Sequence, residues 1–108
     1  MKAPKHLMPA TRRWVESVAA SFVLEEHHER LLILAAEAFD RGAAAREQLA
    51  REGLTFRDRY GCPKPHPAAA IARDSSIIYA RLLRELDLDT EASPDTTRPP
   101  SLRSNRRR

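Results

Sequence analysis

Cys62 and His66 are separated by three residues in RYGCPKPHP (59–67), a spacing at which a thiolate and an imidazole can bind one metal ion. A structural zinc site needs about four such ligands, usually supplied as two closely spaced pairs. The remaining candidate imidazole ligands are His6, His27 and His28. Two adjacent histidines on a helix point about 100 degrees apart and do not easily converge on one ion. We therefore predict no metal and no cofactor; convergence of Cys62 and His66 with one of the adjacent histidines is the alternative.

The same pair could also act as a cysteine nucleophile with a histidine base. No glycine loop able to stabilise an oxyanion accompanies it, and the three glycines, at positions 42, 53 and 61, are too scattered to form a phosphate-binding loop. The paired acids are placed as charges at helix ends: Glu25 with Glu26, and Asp87 with Asp89. The sequence thus predicts no catalytic residues and a protein that is not an enzyme.

Three prolines around the pair favour a structural role for it. A residue that precedes proline is driven out of helical geometry, so Cys62, Lys64 and His66 are expected to be extended. Pro67 suits the first position of a helix. His66 then lies at or beside the N-cap, where a ring nitrogen can accept a hydrogen bond from a backbone N–H. We interpret the stretch as a rigid corner that directs the last helix.

The hydrophobic pattern of the chain is helical almost throughout and predicts a mainly all-α fold with three helices. Thr11 is the expected N-cap of a first helix over about residues 12–22. A long second helix follows, with Glu25 in its first turn and Gly53 at its C-terminal end.

A different pattern separates the second helix from the third. In LTFRDRYGCPKP (54–65), apolar and polar residues alternate and Gly61 supplies a turn, which predicts a short extended segment or β-hairpin. The third helix is expected to begin at Pro67 and to run to about Leu86.

The long second helix carries a narrow stripe of small and apolar residues. Its members follow three-to-four spacing along one side: Leu31, Leu34, Ala35, Ala38, Gly42, Ala45 and Leu49. Small side chains let two helices approach closely, within a helical hairpin or between subunits. Because a chain of 108 residues has a modest core, we predict that this stripe is an interface between copies of the chain.

Basic charge is concentrated at the C-terminus. Residues 93–108 contain five arginines against the single acid Asp95, and their balance of +4 equals the net charge of the whole chain. This segment has little apolar surface to bury, which predicts disorder. We predict three regions: a flexible N-terminus over residues 1–10, a helical domain over residues 11–89 and a disordered Arg/Pro-rich tail over residues 90–108.

The composition also bears on location. The most apolar window, LLILAAEAF (31–39), is far shorter than the roughly 20 residues of a membrane-spanning helix. A lone cysteine forms no intramolecular disulfide, and the N-terminus shows no apolar run of signal-peptide length. We therefore expect a cytoplasmic protein that does not act on a membrane.

Several features occur in a recognisable order along the chain. A first helix with Trp14, a long Leu/Ala helix closing at Gly53, the pair His66-Pro67, a helix ending in Leu86-x-Leu88 and a Pro/Arg-rich end follow one another. This order, over about residues 10–108, resembles the small terminase subunits of tailed bacteriophages. The resemblance implies a non-enzymatic subunit that assembles into a ring, binds double-stranded viral DNA and regulates the large subunit, which carries the ATPase and nuclease.

Many members of that family have a separate N-terminal DNA-binding domain, whereas only about ten residues precede the first helix here. The candidate DNA-binding residues are therefore the basic side chains at the two ends of the chain: Lys2, Lys5, Arg12, Arg13, Arg98, Arg103, Arg106, Arg107 and Arg108. A solvated helix start and a solubilising tail are the alternatives for these two groups. A small helical DNA-binding regulator, or a metal-binding phage nuclease accessory, is the alternative for the whole protein.

Overall fold

The computed structural model describes residues 1–88, which form three helices and one β-hairpin. The elements in chain order are α1 (Pro9–Ser21), α2 (Glu26–Glu52), β1 (Thr55–Arg57), β2 (Pro63–Pro65) and α3 (Pro67–Leu86). This confirms the predicted fold class, including the long central helix and the β-hairpin before the last helix. The tail predicted to be disordered lies outside the described residues.

Helices α2 and α3 pack against each other as an antiparallel helical hairpin. The pairs in contact run in opposite directions along the two helices, with Gly42 facing Ser75 and Phe39 facing Tyr79. The residues buried along the two helices are mostly small: Ala35, Ala38, Gly42 and Ala45 on α2, and Ala68 and Ser75 on α3. A Cβ atom at Gly42 would lie 3.3 Å from the Cβ of Ser75, so the two backbones approach closely at this point.

A second cluster of buried residues joins α1 and the N-terminal segment to α2. Its members come from all three parts of the chain: Ala3, Leu7, Val15, Leu32 and Ala36. Trp14, Val18, Leu24 and Leu86 are partly buried around it. Leu86 brings the end of α3 to this cluster, so the cluster ties the N-terminal segment to the helical hairpin.

The N-terminal segment differs from its sequence-based description. Residues 1–10 were expected to be flexible, but Ala3 and Leu7 are buried in the core cluster. Two backbone N–H groups of the segment also donate to carboxylates on the helices, from Ala3 to Glu16 at 3.2 Å and from Met8 to Asp40 at 2.8 Å. The segment therefore packs on α1 and α2.

The predicted start of α1 was wrong. The helix begins at Pro9 with Met8 as its N-cap, because the fixed φ of proline suits the first helical position. Thr11 lies inside the helix and is buried, and its hydroxyl donates to the carboxylate of Asp40 on α2. Threonine here links two helices instead of capping one.

The predicted ends of the other two helices were correct. Gly53 has a φ of 88°, and its N–H donates to the carbonyl of Leu49, so α2 stops at a residue that needs positive φ. Helix α3 ends at Leu86. Among residues 1–88, no helix is long and apolar enough to cross a membrane.

The close approach of α2 and α3 predicts unequal effects for leucine at two nearby positions. Gly42→Leu places a large side chain against Ser75 and should lower the free energy of unfolding by roughly 1–3 kcal/mol through overpacking. Ala44→Leu is the matched control, because Ala44 is exposed on the same helix and should change stability by no more than about 0.5 kcal/mol. Urea unfolding measures both. An increase in stability for Gly42→Leu, as helix propensity alone would give, contradicts this packing.

Candidate functional site

His66 anchors the corner between the β-hairpin and α3. Its ring is buried, Nδ1 accepts from the N–H of Ala68 at 3.0 Å, and Nε2 lies 2.7 Å from Oε1 of Glu52. An acceptor at Nδ1 means that the proton of the neutral ring is on Nε2, which donates to Glu52. This confirms the predicted N-cap role. Both ring nitrogens of His66 thus form hydrogen bonds within the fold. Cys62, the other member of the pair, is exposed.

Two of the candidate metal ligands, His27 and His28, are in contact, but within residues 1–88 they do not form a metal site with a third ligand. His27 and His28 lie at the start of α2 with their ring centroids 4.1 Å apart, and His6 contacts Glu37 at 2.8 Å. Within residues 1–88, no group of three or more histidine, cysteine or acidic side chains is placed to hold a metal ion.

The contact with His66 also changes the titration of Glu52. The hydrogen bond from His66 lowers the pKa of Glu52, with a smaller lowering from the hydrogen bond of Gln48. A carboxyl with a lowered folded-state pKa stabilises the fold above its ordinary pKa, and the contribution is lost as the pH falls through the folded value. The base of the β-hairpin is therefore expected to weaken in acid.

The β-hairpin itself is short and held by hydrogen bonds within its turn. Strands β1 and β2 are antiparallel, with Phe56 opposite Lys64 and Arg57 opposite Pro63. In the turn, one carboxylate oxygen of Asp58 accepts from the N–H groups of Tyr60, at 2.8 Å, and Cys62, at 3.0 Å. The side chain of the only acid in the hairpin is thus directed into its own turn.

The surface of the hairpin is basic and aromatic. Its three cationic residues, Arg57, Arg59 and Lys64, are all exposed. Tyr60 is 80% exposed, and the guanidinium of Arg59 lies 5.9 Å from its ring centroid. The sequence pattern of this segment predicted a short extended segment or β-hairpin and a rigid corner, and no binding role. The signal that could have identified it is the presence of three cations and two aromatic residues in a stretch of twelve residues with one acid.

The predicted N-terminal DNA-binding residues lie in the N-terminal segment and the first turns of α1. Lys2, Lys5 and Arg13 are exposed, and the Arg12 guanidinium donates to the carbonyl of Lys5 at 3.3 Å. The N-terminal segment is held in place by contacts with three carboxylates on α1 and α2: Glu16, Glu37 and Asp40. The predicted arginines at positions 98–108 lie outside the described residues. DNA binding by either group stays a prediction.

The predicted interface stripe on α2 is used within the chain. Ala35, Ala38, Gly42 and Ala45 are buried, whereas Leu31 and Leu49 are partly buried and Leu34 is 51% exposed. The close packing that small residues favour is therefore found inside the helical hairpin, the first of the two possibilities raised by the pattern. A contact between copies through Leu34 stays a prediction.

Large apolar side chains are instead exposed on both sides of the α2–α3 contact. Ile71 and Ile78 are about 40% exposed and, at a spacing of seven residues, share one side of α3. On another side, a shallow groove between α1 and α3 is lined by Ala10, Thr11, Trp14, Phe39 and Tyr79. Burial in this aromatic cluster raises the pKa of the Tyr79 phenol.

The chain belongs to the small-subunit family of the phage terminases. The family described as "Phage terminase, small subunit" matches residues 12–99, which is most of the chain. The role of the protein is therefore in phage DNA packaging. No curated protein and no solved structure gave a significant match.

The anchor at His66 predicts a clear order among three substitutions. His66→Ala removes the cap of α3 and should lower the free energy of unfolding by roughly 0.5–2 kcal/mol. His66→Asn keeps an acceptor at the N-cap and should retain most of the stability that the cap contributes. Cys62→Ser is the control, with an expected change of no more than about 0.5 kcal/mol. Urea unfolding at several pH values measures these differences.

The difference between the unmodified protein and His66→Ala should narrow as the pH falls through the folded-state pKa of Glu52. A difference that grows in acid would contradict the assigned hydrogen bond. Loss of the fold in Cys62→Ser, accompanied by loss of bound zinc, would show that these residues form a metal site and not only a rigid corner.

Proposed function

We propose that this protein is a non-enzymatic small terminase subunit that assembles into a ring, binds double-stranded viral DNA and recruits the large terminase subunit in the host cytoplasm. Membership of the family supports the association with DNA and with the large subunit. Among residues 1–88, both nitrogens of the best-placed histidine serve as structural contacts, which supports a role without catalysis. The ATPase and nuclease activities are then those of the large subunit.

The observation that carries the proposal is the mismatch between the buried and the exposed apolar residues. Most of the core residues are alanines, and the largest side chains with no exposure are Leu32 and Val15. Five large apolar side chains on the helices are at least two-fifths exposed: Leu34, Phe39, Ile71, Ile77 and Ile78. Burying a side chain of this size stabilises the folded state by about 1.5–3 kcal/mol. Contacts between copies would therefore supply the apolar burial that the core of the isolated chain lacks.

A ring requires two different surfaces on each copy, because head-to-tail contacts close into rings. Tyr79 and Ile78 are adjacent on α3 and point about 100 degrees apart. The aromatic groove and the Ile71–Ile78 side are therefore separate patches, flanking the α2–α3 contact. We infer that the isoleucine side of one copy packs into the aromatic groove of the next.

DNA binding is proposed to combine two sources of positive charge. Residues 98–108 carry five arginines, each able to displace a counterion from the phosphate backbone. Lys2, Lys5, Arg12 and Arg13 form the second group, at the N-terminal end of the helical domain. We assign the five arginines to affinity that does not depend on sequence, because contacts with the phosphate backbone carry no direct sequence information.

The proposed assembly predicts that charge at one position of α3 separates the copies. Ile78→Glu should reduce the native mass towards that of a monomer while preserving the helical circular dichroism, because the side chain is already partly exposed in the isolated fold. Ala80→Glu is the matched control, since Ala80 is exposed and points to the other side of α3. Sedimentation velocity measures all three proteins. A monomeric unmodified protein at micromolar concentration, or an Ile78→Glu variant of unchanged mass, contradicts the proposal.

The tail prediction concerns the salt dependence of DNA affinity. Removing residues 98–108 should reduce the steepness of the slope of log affinity against log salt concentration by up to about 4–5, because each phosphate contact contributes roughly 0.9 to that slope. Fluorescence anisotropy with a labelled DNA duplex measures the slope for the complete and shortened chains, and sedimentation verifies that both have the same mass. Equal slopes would mean that these arginines do not contact DNA.

A further inference from the structure

We propose that the β1–β2 hairpin is itself a duplex-DNA contact: its tip enters a groove while Arg57 and Lys64 bind the phosphates on either side. This inference rests on the proposed DNA-binding function and assigns part of it to a segment outside the basic residues predicted from the sequence. It concerns residues 54–65, which are separate in sequence from both groups of basic residues at the chain ends.

The charge distribution is the first argument. Residues 54–65 contain Arg57, Arg59 and Lys64 against the single acid Asp58. In the rest of residues 1–88, the lysines and arginines equal the aspartates and glutamates in number, although residues 1–15 hold Lys2, Lys5, Arg12 and Arg13 and no acid; the hairpin is therefore a second basic segment of this part of the chain. A polyanion is therefore attracted to the hairpin as well as to the basic N-terminal group.

The second argument is that these cations have no acidic partner. No carboxylate of residues 1–88 forms an ion pair with any of the three. Three of the helix arginines, Arg30, Arg51 and Arg73, each pair with a neighbouring acid on the same helix. An anion that binds the hairpin cations therefore displaces water and counterions and breaks no internal ion pair.

The hairpin is also held in one shape before any ligand arrives. The Asp58 carboxylate bridges two N–H groups of the turn, and the Arg57 guanidinium donates to the carbonyl of Gly61 at 2.6 Å. At its base, the N–H of His66 donates to the carbonyl of Leu54 at 2.8 Å. A preformed shape reduces the entropy lost on binding. Arg57 keeps further N–H donors for a phosphate, because a guanidinium has five.

The strand register places two of the cations on opposite faces of the hairpin. Residues directly opposite each other in an antiparallel pair point to the same face, so Lys64 lies with Phe56 on one face and Arg57 lies with Pro63 on the other. A two-stranded ribbon fits the major groove, which is about 12 Å wide and is bordered by a phosphate backbone on each side. If the tip of the hairpin enters the groove first, each face of the hairpin lies against one of these two backbones, with Lys64 on one side and Arg57 on the other.

The tip carries the side chains that would lie inside the groove. Tyr60 is the most exposed of the aromatic residues on the hairpin, and Arg59 lies beside its ring. A tyrosine offers an apolar ring and a hydroxyl, and an arginine can donate to a base edge or a phosphate. The tip therefore combines the charge and the flat apolar surface that DNA binding uses.

The test compares two triple variants that remove the same charge. Arg57→Gln/Arg59→Gln/Lys64→Gln removes the hairpin cations, and Arg30→Gln/Arg51→Gln/Arg73→Gln removes three paired cations from the helices. Fluorescence anisotropy with a labelled duplex of mixed sequence is measured for the complete chain over a range of salt. For the hairpin variant we expect affinity at physiological salt to fall on the order of 10- to 100-fold and the salt slope to fall by about 2–3. The helix variant should match the unmodified protein.

Sedimentation must show that both variants keep the mass of the unmodified assembly. Tyr60→Ala is the further variant: it should weaken binding and leave the salt slope unchanged, because it removes no charge. If the hairpin variant binds the duplex with unchanged affinity and slope, the inference is wrong while the proposed DNA binding stands. The inference is also wrong if that variant binds DNA normally but no longer binds the purified large subunit. In that case the hairpin contacts a protein and not DNA. If the unmodified protein binds no duplex, the proposed DNA binding fails as well.

Discussion

The close packing of α2 against α3 is the constraint on which the rest of the structure depends. It requires small residues where the helices cross, and Gly42 faces Ser75 at a distance that leaves little room for a side chain. Small residues bring backbones together but bury little apolar area each, and the hydrophobic contribution is proportional to that area. The helical hairpin is therefore well defined in geometry and weakly supported by its own core.

Two consequences follow for the surface. Docking of Ala3 and Leu7 adds apolar burial from the N-terminal segment. The larger apolar residues flank the helix contact and remain accessible, which suits a chain completed by further copies of itself. The β-hairpin takes no part in this core, because residues 54–65 are almost entirely exposed. Its position is set by the His66 contacts at its base, so it can project a basic surface without disturbing the helices.

Much of the fold could be predicted from local chemistry. Gly53 and the prolines near His66 act through backbone geometry that a sequence reveals directly, and the helix end, the N-cap and the hairpin were predicted correctly. Periodicity, however, shows which residues are buried and not what buries them. For this reason the stripe at Ala38 and Ala45 could not be assigned to packing within the chain. The docking of the N-terminal segment was missed because it depends on carboxylates more than ten residues away, such as Asp40.

We infer that contacts between copies complete a core that is too small in the single chain. The thermal unfolding midpoint of the unmodified protein, measured over a wide range of protein concentration, tests this most directly. If unfolding is coupled to dissociation, the midpoint rises with concentration by mass action. A midpoint that is independent of concentration, together with a monomeric mass throughout, would show that the isolated chain is sufficient and would contradict the account.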